Sequence, residues 1–263
     1  MKKIALFIFA CLTIQCSSEM QQAPVAKKVK KVLEIHDDQR IDNYFWMRLS
    51  DEQKEAEQLD QQTQDVLDYL HAENDYRKHV MKPTEKLQKT IYDEIIGRIK
   101  QDDSSVPVTV NGYTYYTRFE KGQDYPYYCR EKAEDNAKEE VMLDVPTMAE
   151  EYAYYAIGGR SVSENNKILA YAVDTVSRRE YTLYFKNLET GEILSDKIEN
   201  TTGGITWAND NQTVFYVKKD PQTLRAYQIF KHRLGTDTSD DELVYEETDE
   251  TFSCWISKTK SRQ

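Results

Sequence analysis

The 263-residue sequence is poor in glycine, with 9, in proline, with 6, and in cysteine and histidine, with 4 of each. So little Gly and Pro excludes collagen-like and low-complexity chains. Cys11, Cys16, Cys129 and Cys254 form no CxxC pair. His36, His71, His79 and His232 fall in no HExxH motif and no cysteine-histidine cluster, so no metal site and no cofactor site is expected. Basic charge is also scarce: 35 Lys+Arg stand against 46 Asp+Glu, a net charge of −11. The only basic run is Lys27-Lys28-Val29-Lys30-Lys31. Counterion release needs a clustered cationic face, which argues against a nucleic-acid partner. No apolar stretch is long enough to span a bilayer as a helix, the longest being Ile4 to Ile14.

What is present is aromatic bulk, 19 Tyr, 8 Phe and 3 Trp, with 39% hydrophobic residues, enough for one or two globular domains with a core. The chain starts with Lys2 and Lys3 ahead of the apolar Ile4 to Ile14, and residues 1–15 therefore read as a signal peptide. Cys16 follows directly, and Ser17-Ser18-Glu19 opens a polar tether over 16–34. This arrangement resembles the start of a bacterial lipoprotein and implies a lipid anchor, and so a membrane contact, at Cys16. Gln15 stands where such sites carry Gly, Ala or Ser, which leaves plain secretory cleavage a few residues later as the second reading. Either route places the protein in the bacterial cell envelope, periplasmic or lipid-anchored.

Residues 35–103 read as a helical N-terminal segment. Leu59, Val66, Leu70 and Tyr76 recur at helical spacing between Asp51 and Met81. After Lys82-Pro83, Thr84 is placed to cap a second helix carrying Leu87, Ile91, Ile95 and Ile99 on one stripe, widened by Ile96. That stripe requires a surface to cover it. From residue 104 the period changes to two. Val106–Val110 and Tyr113–Phe119 flank Asn111-Gly112, a two-residue hairpin signal. Further strands are expected at Tyr125–Glu131, Glu140–Asp144, Ile168–Asp174, Tyr181–Asn187, Thr213–Lys218, Ala226–Arg233 and Glu242–Tyr245.

Two stretches repeat. Val162 to Ala172 aligns with Trp207 to Val217 at an offset of 45, matching Asn166 with Asn211 and Tyr171 with Tyr216. Tyr181 and Leu183 then fall opposite Tyr227 and Ile229. About four strands in roughly 45 residues is the arithmetic of a β-propeller blade. The expected fold is mainly β with an N-terminal α-helical segment, residues 104–263 forming a partial propeller of about three to four blades. An open ring leaves sheet edges bare, which points to a chain that is the front part of a longer protein.

A serine nucleophile elbow, Gly-x-Ser-x-Gly, does not occur. The nearest match, Gly158-Gly159-Arg160-Ser161-Val162, lacks the second glycine and is expected to be loop or strand-entry structure. Asp37-Asp38, Asp102-Asp103 and Asp240-Asp241 read as solvated turns, and Gly203-Gly204 as a blade-to-blade turn. Cys129 and Cys254 are expected as unpaired thiols. No catalytic residue is expected in this chain.

Several collinear segments resemble the N-terminal part of oligopeptidase B, in the prolyl oligopeptidase family of serine peptidases. They are Asp42-Asn43-Tyr44-Phe45-Trp46-Met47-Arg48, Tyr69-Leu70-His71-Ala72-Glu73-Asn74, Arg98 to Pro107, Gly122 to Arg130, Arg178 to Leu183, and Asn200-Thr201-Thr202-Gly203-Gly204. The resemblance implies a seven-bladed propeller that acts as a size filter over an α/β-hydrolase domain. That domain carries a Ser-Asp-His triad, cleaves short peptides after Arg or Lys, and is missing from this sequence; the helical segment would pack on it. The family is usually cytoplasmic, unlike a chain with a signal peptide. Two other readings stay open: a non-catalytic propeller lipoprotein that binds a peptide or protein partner, and an inactive truncated remnant.

Overall fold

The computed structural model describes residues 22–261, so the signal-peptide stretch and Cys16 lie outside the described residues. The chain divides into two compact units between Ile99 and Lys100.

The first unit opens with a hairpin the sequence did not announce. β1 (Lys31–Ile35), partly within the stretch read as a tether, pairs antiparallel with β2 (Asp38–Asp42). Its turn residues His36 and Asp37 both have positive φ, 53° and 62°, as a tight two-residue turn requires. The Asp42–Arg48 motif then makes a compact corner. Asp42 accepts from the Tyr44 amide at 2.8 Å, and the Trp46 indole donates to the Lys27 carbonyl at 2.9 Å. The helical region is three helices: α1 (Asp51–Glu55), α2 (Gln61–Met81) and α3 (Glu85–Arg98). A capping box between Ser50 and Gln53 starts α1, and Asp60 caps α2 by accepting from the Thr63 amide at 2.7 Å. Thr84 does not cap α3. Its hydroxyl donates back to the Met81 carbonyl at 2.6 Å, because a single 3-10 turn around Pro83 joins α2 to α3 without releasing orphan amides. Leu87, Ile91, Ile95 and Ile99 are about half exposed, the stripe lying open within its own unit.

The second unit is all β apart from the short α4 (Val145–Ala149) and a 3-10 turn. β3 (Asp103–Ser104) and β4 (Val108–Val110) both pair with β5 (Tyr113–Phe119), which pairs with β6 (Tyr127–Lys132) and that with β7 (Glu140–Asp144). The expected Asn111-Gly112 hairpin is present, with Val110 opposite Tyr113. Seven more strands follow in simple meander order: β8 (Ala156–Val162), β9 (Ile168–Asp174), β10 (Tyr181–Asn187), β11 (Ile193–Trp207), β12 (Thr213–Lys219), β13 (Ala226–Arg233) and β14 (Glu242–Glu246).

This sheet is two blades in series. The first half of β11 pairs with β10, through Ile193, Lys197 and Ile198, and the second half pairs with β12, through Ile205 to Trp207. The last strand of one blade thus runs straight into the first strand of the next. Gly203-Gly204 is at that crossing, within β11 and not in a separate turn, with Gly203 at φ 83°. The pentad 158–162 lies within β8, the strand alternative of the two expected for it. Gly-Gly hides the two-residue alternation of β8, and a polar stretch hides that of β11, so neither strand's span was expected.

The alternation of β9 shows why the blades stack. Leu169, Tyr171 and Val173 pack with Met142, Leu143 and Val145 toward the first sheet. Ala170 and Ala172, on the opposite face, pack with Leu183, Phe185, Trp207 and Tyr216 toward the following blade. A strand buried on both sides reads as a continuous apolar run. The sequence offset of 45 places β8 over the second half of β11, β9 over β12 and β10 over β13. The protein is a partial β-propeller preceded by a helical segment.

Candidate functional site

The first-strand hairpins of the three blades meet at one edge of the propeller unit. Asn111, Asn166 and Asn211 occupy their turns with φ of 51°, 62° and 59°. Asn tolerates the left-handed region because its short amide bonds locally, and here each amide also reaches a neighbouring blade. Asn111 Nδ2 donates to the Glu164 carbonyl at 2.6 Å, and Asn166 Nδ2 to the Asn111 carbonyl at 3.0 Å. Asn211 Oδ1 accepts from the Asn165 amide at 2.7 Å. Lys258 extends the row, its ammonium lying 2.6 Å from both Glu164 Oε1 and Asn209 Oδ1.

Between the first sheet and β8 lies a cleft of about 440 Å³. Ser105, Val106 and Val108, at the break between β3 and β4, are part of its lining. Tyr115, Tyr128 and Cys129 are also among the residues that line it. Arg160 enters from β8, its guanidinium 3.7 Å from the centroid of the Tyr128 ring. Beside the cleft, Arg118 grips Glu139 through Nε and Nη2 at 3.0–3.1 Å, and the Tyr116 hydroxyl donates to the same carboxylate at 2.6 Å. The Arg118 contact holds the Glu139 carboxyl below the usual carboxylate range. Burial pushes the Cys129 thiol up to about 11, so it is protonated and inert at neutral pH.

A second polar cluster is buried within the last blade. His232 has no exposed surface, its Nδ1 2.7 Å from Asp241 Oδ1 and its Nε2 3.1 Å from Asp196 Oδ1. The Tyr216 hydroxyl donates to Asp241 Oδ2 at 2.7 Å, and burial, with this contact behind it, raises its pKa. Asp241 is therefore not part of a solvated turn. Its side chain is 2% exposed because β14 begins beside it and β13 delivers His232 underneath. Asp37, Asp38, Asp102 and Asp103 are exposed, as read from the sequence.

The polar groups of this unit are engaged with one another. His232 is engaged by two carboxylates and by no serine or cysteine. Ser161 lies in β8, its carbonyl accepting the Trp207 indole hydrogen at 2.9 Å. Cys129 and Cys254 are free thiols, and no cluster of three or more His, Cys, Asp or Glu suited to a metal occurs among the described residues. His71 and His79 are exposed on α2. The sequence reading missed the His232 cluster and the Arg160 cleft, since each joins residues remote in the chain.

A family model described as "Prolyl oligopeptidase, N-terminal beta-propeller domain" matches residues 24–263. Dipeptidyl aminopeptidase BI of Pseudoxanthomonas mexicana is 42% identical over 251 residues, covering 90% of this chain and 34% of the relative. Protease 2 of Moraxella lacunata is 34% identical over 245 residues, with the same two coverages, 90% and 34%. Among solved structures, oligopeptidase B from Leishmania major superposes with a TM-score of 0.78 at 31% identity, over 90% of this chain and 34% of that one. The chain spans about a third of the length of these relatives. With the three successive blades, the row of hairpin asparagines and a family match that runs through both units, the chain belongs to the prolyl oligopeptidase family of serine peptidases, as its N-terminal β-propeller region.

Proposed function

We propose that this chain is the propeller region of a serine endopeptidase that cleaves short peptides after Arg or Lys, the blades serving as a size filter. The observation that carries this reading is the match over 24–263 to peptidases of which the chain spans only 34%. A ring of blades above an active site admits flexible short peptides and turns away folded proteins. The serine, histidine and aspartate that cut would belong to an α/β-hydrolase domain beyond these residues, so the chain by itself has no peptidase activity and takes no cofactor.

The open stripe of α3 supports this division. Leu87, Ile91, Ile95 and Ile99 form an apolar row whose cover, in this reading, is that hydrolase domain. Residues 1–15 export the protein and Cys16 anchors it to the membrane by a lipid. A second reading, release of dipeptides from a free N-terminus, is favoured by the 42% identity to a protein named dipeptidyl aminopeptidase BI.

The test labels cells that express the native reading frame with a fluorophosphonate probe and captures the product with an antibody to residues 104–263. A labelled band well above the mass of this chain, active on an N-blocked arginyl amide, supports the endopeptidase. Activity on a free dipeptidyl amide alone supports the second reading. An unlabelled product of this chain's own mass refutes both in favour of a binding protein or an inactive remnant.

A further inference from the structure

The cleft beside Arg160 differs in charge from the rest of the molecule. The protein carries 46 Asp and Glu, yet no acidic residue lines this cleft, and Arg160 is its one charged group at neutral pH. Among the described residues no carboxylate lies within ion-pair distance of Arg160. Two nearby arginines show the contrast: Arg118 is committed to Glu139 and Arg130 to Glu140. Arg160 instead lies over the Tyr128 face, which fixes its plane and leaves the fork of N–H donors free to act.

A planar guanidinium with an aromatic backing is suited to one planar monoanion held through two parallel hydrogen bonds, which is a carboxylate. One wall of the cleft is apolar, Val106 being 84% and Val108 58% exposed, while Ser105, Thr117, Ser161 and Asn166 add neutral polar groups to the lining. A volume of about 440 Å³ falls within the usual range for small-ligand sites, roughly 300–1,000 Å³. Independently of the peptidase reading, the geometry points to a binding site for the C-terminal carboxylate of a short peptide ending in an apolar residue. The carboxylate lies on Arg160 and the last side chain against Val106, Val108 and the Tyr115 ring. A peptide end supplies the single negative charge and the adjacent apolar group together, which matches one cation beside one apolar wall. A phosphate dianion would leave charge unmatched by the single cation here.

The site is tested on the purified chain by isothermal titration and saturation-transfer NMR with three probes: acetyl-Ala-Phe, its C-terminal amide, and acetyl-Asp-Phe amide. Acetyl-Ala-Phe should bind saturably and the neutral amide at least about tenfold more weakly, the usual size of a lost charge-assisted hydrogen bond. Arg160→Gln should reduce acetyl-Ala-Phe to the affinity of the amide while its thermal midpoint stays that of the parent. Equal binding of acid and amide by the parent chain, or no binding of either, overturns the proposal without recourse to any variant. Binding of acetyl-Asp-Phe amide as tight as that of acetyl-Ala-Phe overturns the assignment to a chain end.

Discussion

Adding one methyl group at Gly159 tests the inter-blade packing directly. A Cβ built there would lie 1.9 Å from the Gly203 carbonyl oxygen and 3.1 Å from its carbon. Ordinary carbon-oxygen contact begins near 3.4 Å, so β8 and β11 must separate by roughly 1.5 Å to admit it. Both colliding groups are backbone, and no rotamer change relieves the clash. Separation stretches the Trp207 indole bond to Ser161, now 2.9 Å, and the Asn165–Asn211 bond, now 2.7 Å. Overpacking costs about 1–3 kcal/mol. Leaving the buried indole hydrogen unpaired adds about 1–3 kcal/mol. Gly159→Ala should therefore lose about 2–6 kcal/mol and lower the melting midpoint by roughly 4–24 °C. Gly97→Ala is the matched control, since it adds the same methyl in α3 with no atom within 4 Å and should gain up to about 1 kcal/mol of helix propensity. Thermal unfolding followed by circular dichroism, with urea unfolding followed by tryptophan fluorescence for the free energies, reads both. A Gly159→Ala midpoint within about 1 °C of the parent would refute the close approach of the two strands.

Three further outcomes follow from the same structure. Asn166→Gly keeps the left-handed turn and loses the clasp to Asn111, costing about 1 kcal/mol by urea titration; Asn166→Ala should cost about 1–2 kcal/mol more for the positive φ, and equal costs would exclude a role for φ. Glu139→Gln should destabilise at neutral pH. Because the folded carboxyl titrates below its ordinary 4.5, the unfolded chain binds more protons between the two values, and the parent's advantage shrinks as pH falls below about 4.5; urea midpoints from pH 7 to pH 3 that differ by a constant amount would contradict the Arg118 contact. Cys129, with its thiol at about 11, should resist iodoacetamide at pH 8 in the native chain and react in guanidinium, read by peptide mass mapping. Rapid native labelling there would show that the thiol is not buried.

What the sequence alone determined was local and periodic. The strands Glu140–Asp144, Ile168–Asp174, Tyr181–Asn187 and Ala226–Arg233 were legible to the residue, because alternating or continuous apolar runs between Asn, Asp and Gly turns leave few other conformations. The repeat of Asn166 and Asn211 was legible too, and with it the blade architecture, since one supersecondary unit written twice must stack on itself. Thr84 was misjudged because its role depended on whether Pro83 broke the helical path or only tightened it.

Tertiary structure decided the rest. β8 and β11 carry Gly-Gly pairs that score as turns in isolation, and they are strands because only glycine lets two blade-leading backbones approach so closely. Asp241 looked like half of a solvated pair until β13 brought His232 beneath it, from a strand whose pattern predicts burial but not a partner. Arg160, Tyr128 and Val108 lie on three different strands, and no spacing in the chain relates them. Periodicity reports which side of an element faces inward, a property of neighbours a few residues apart. What meets across two blades is set by their stacking, and so the cleft, the asparagine row and the buried histidine exist only in the folded molecule.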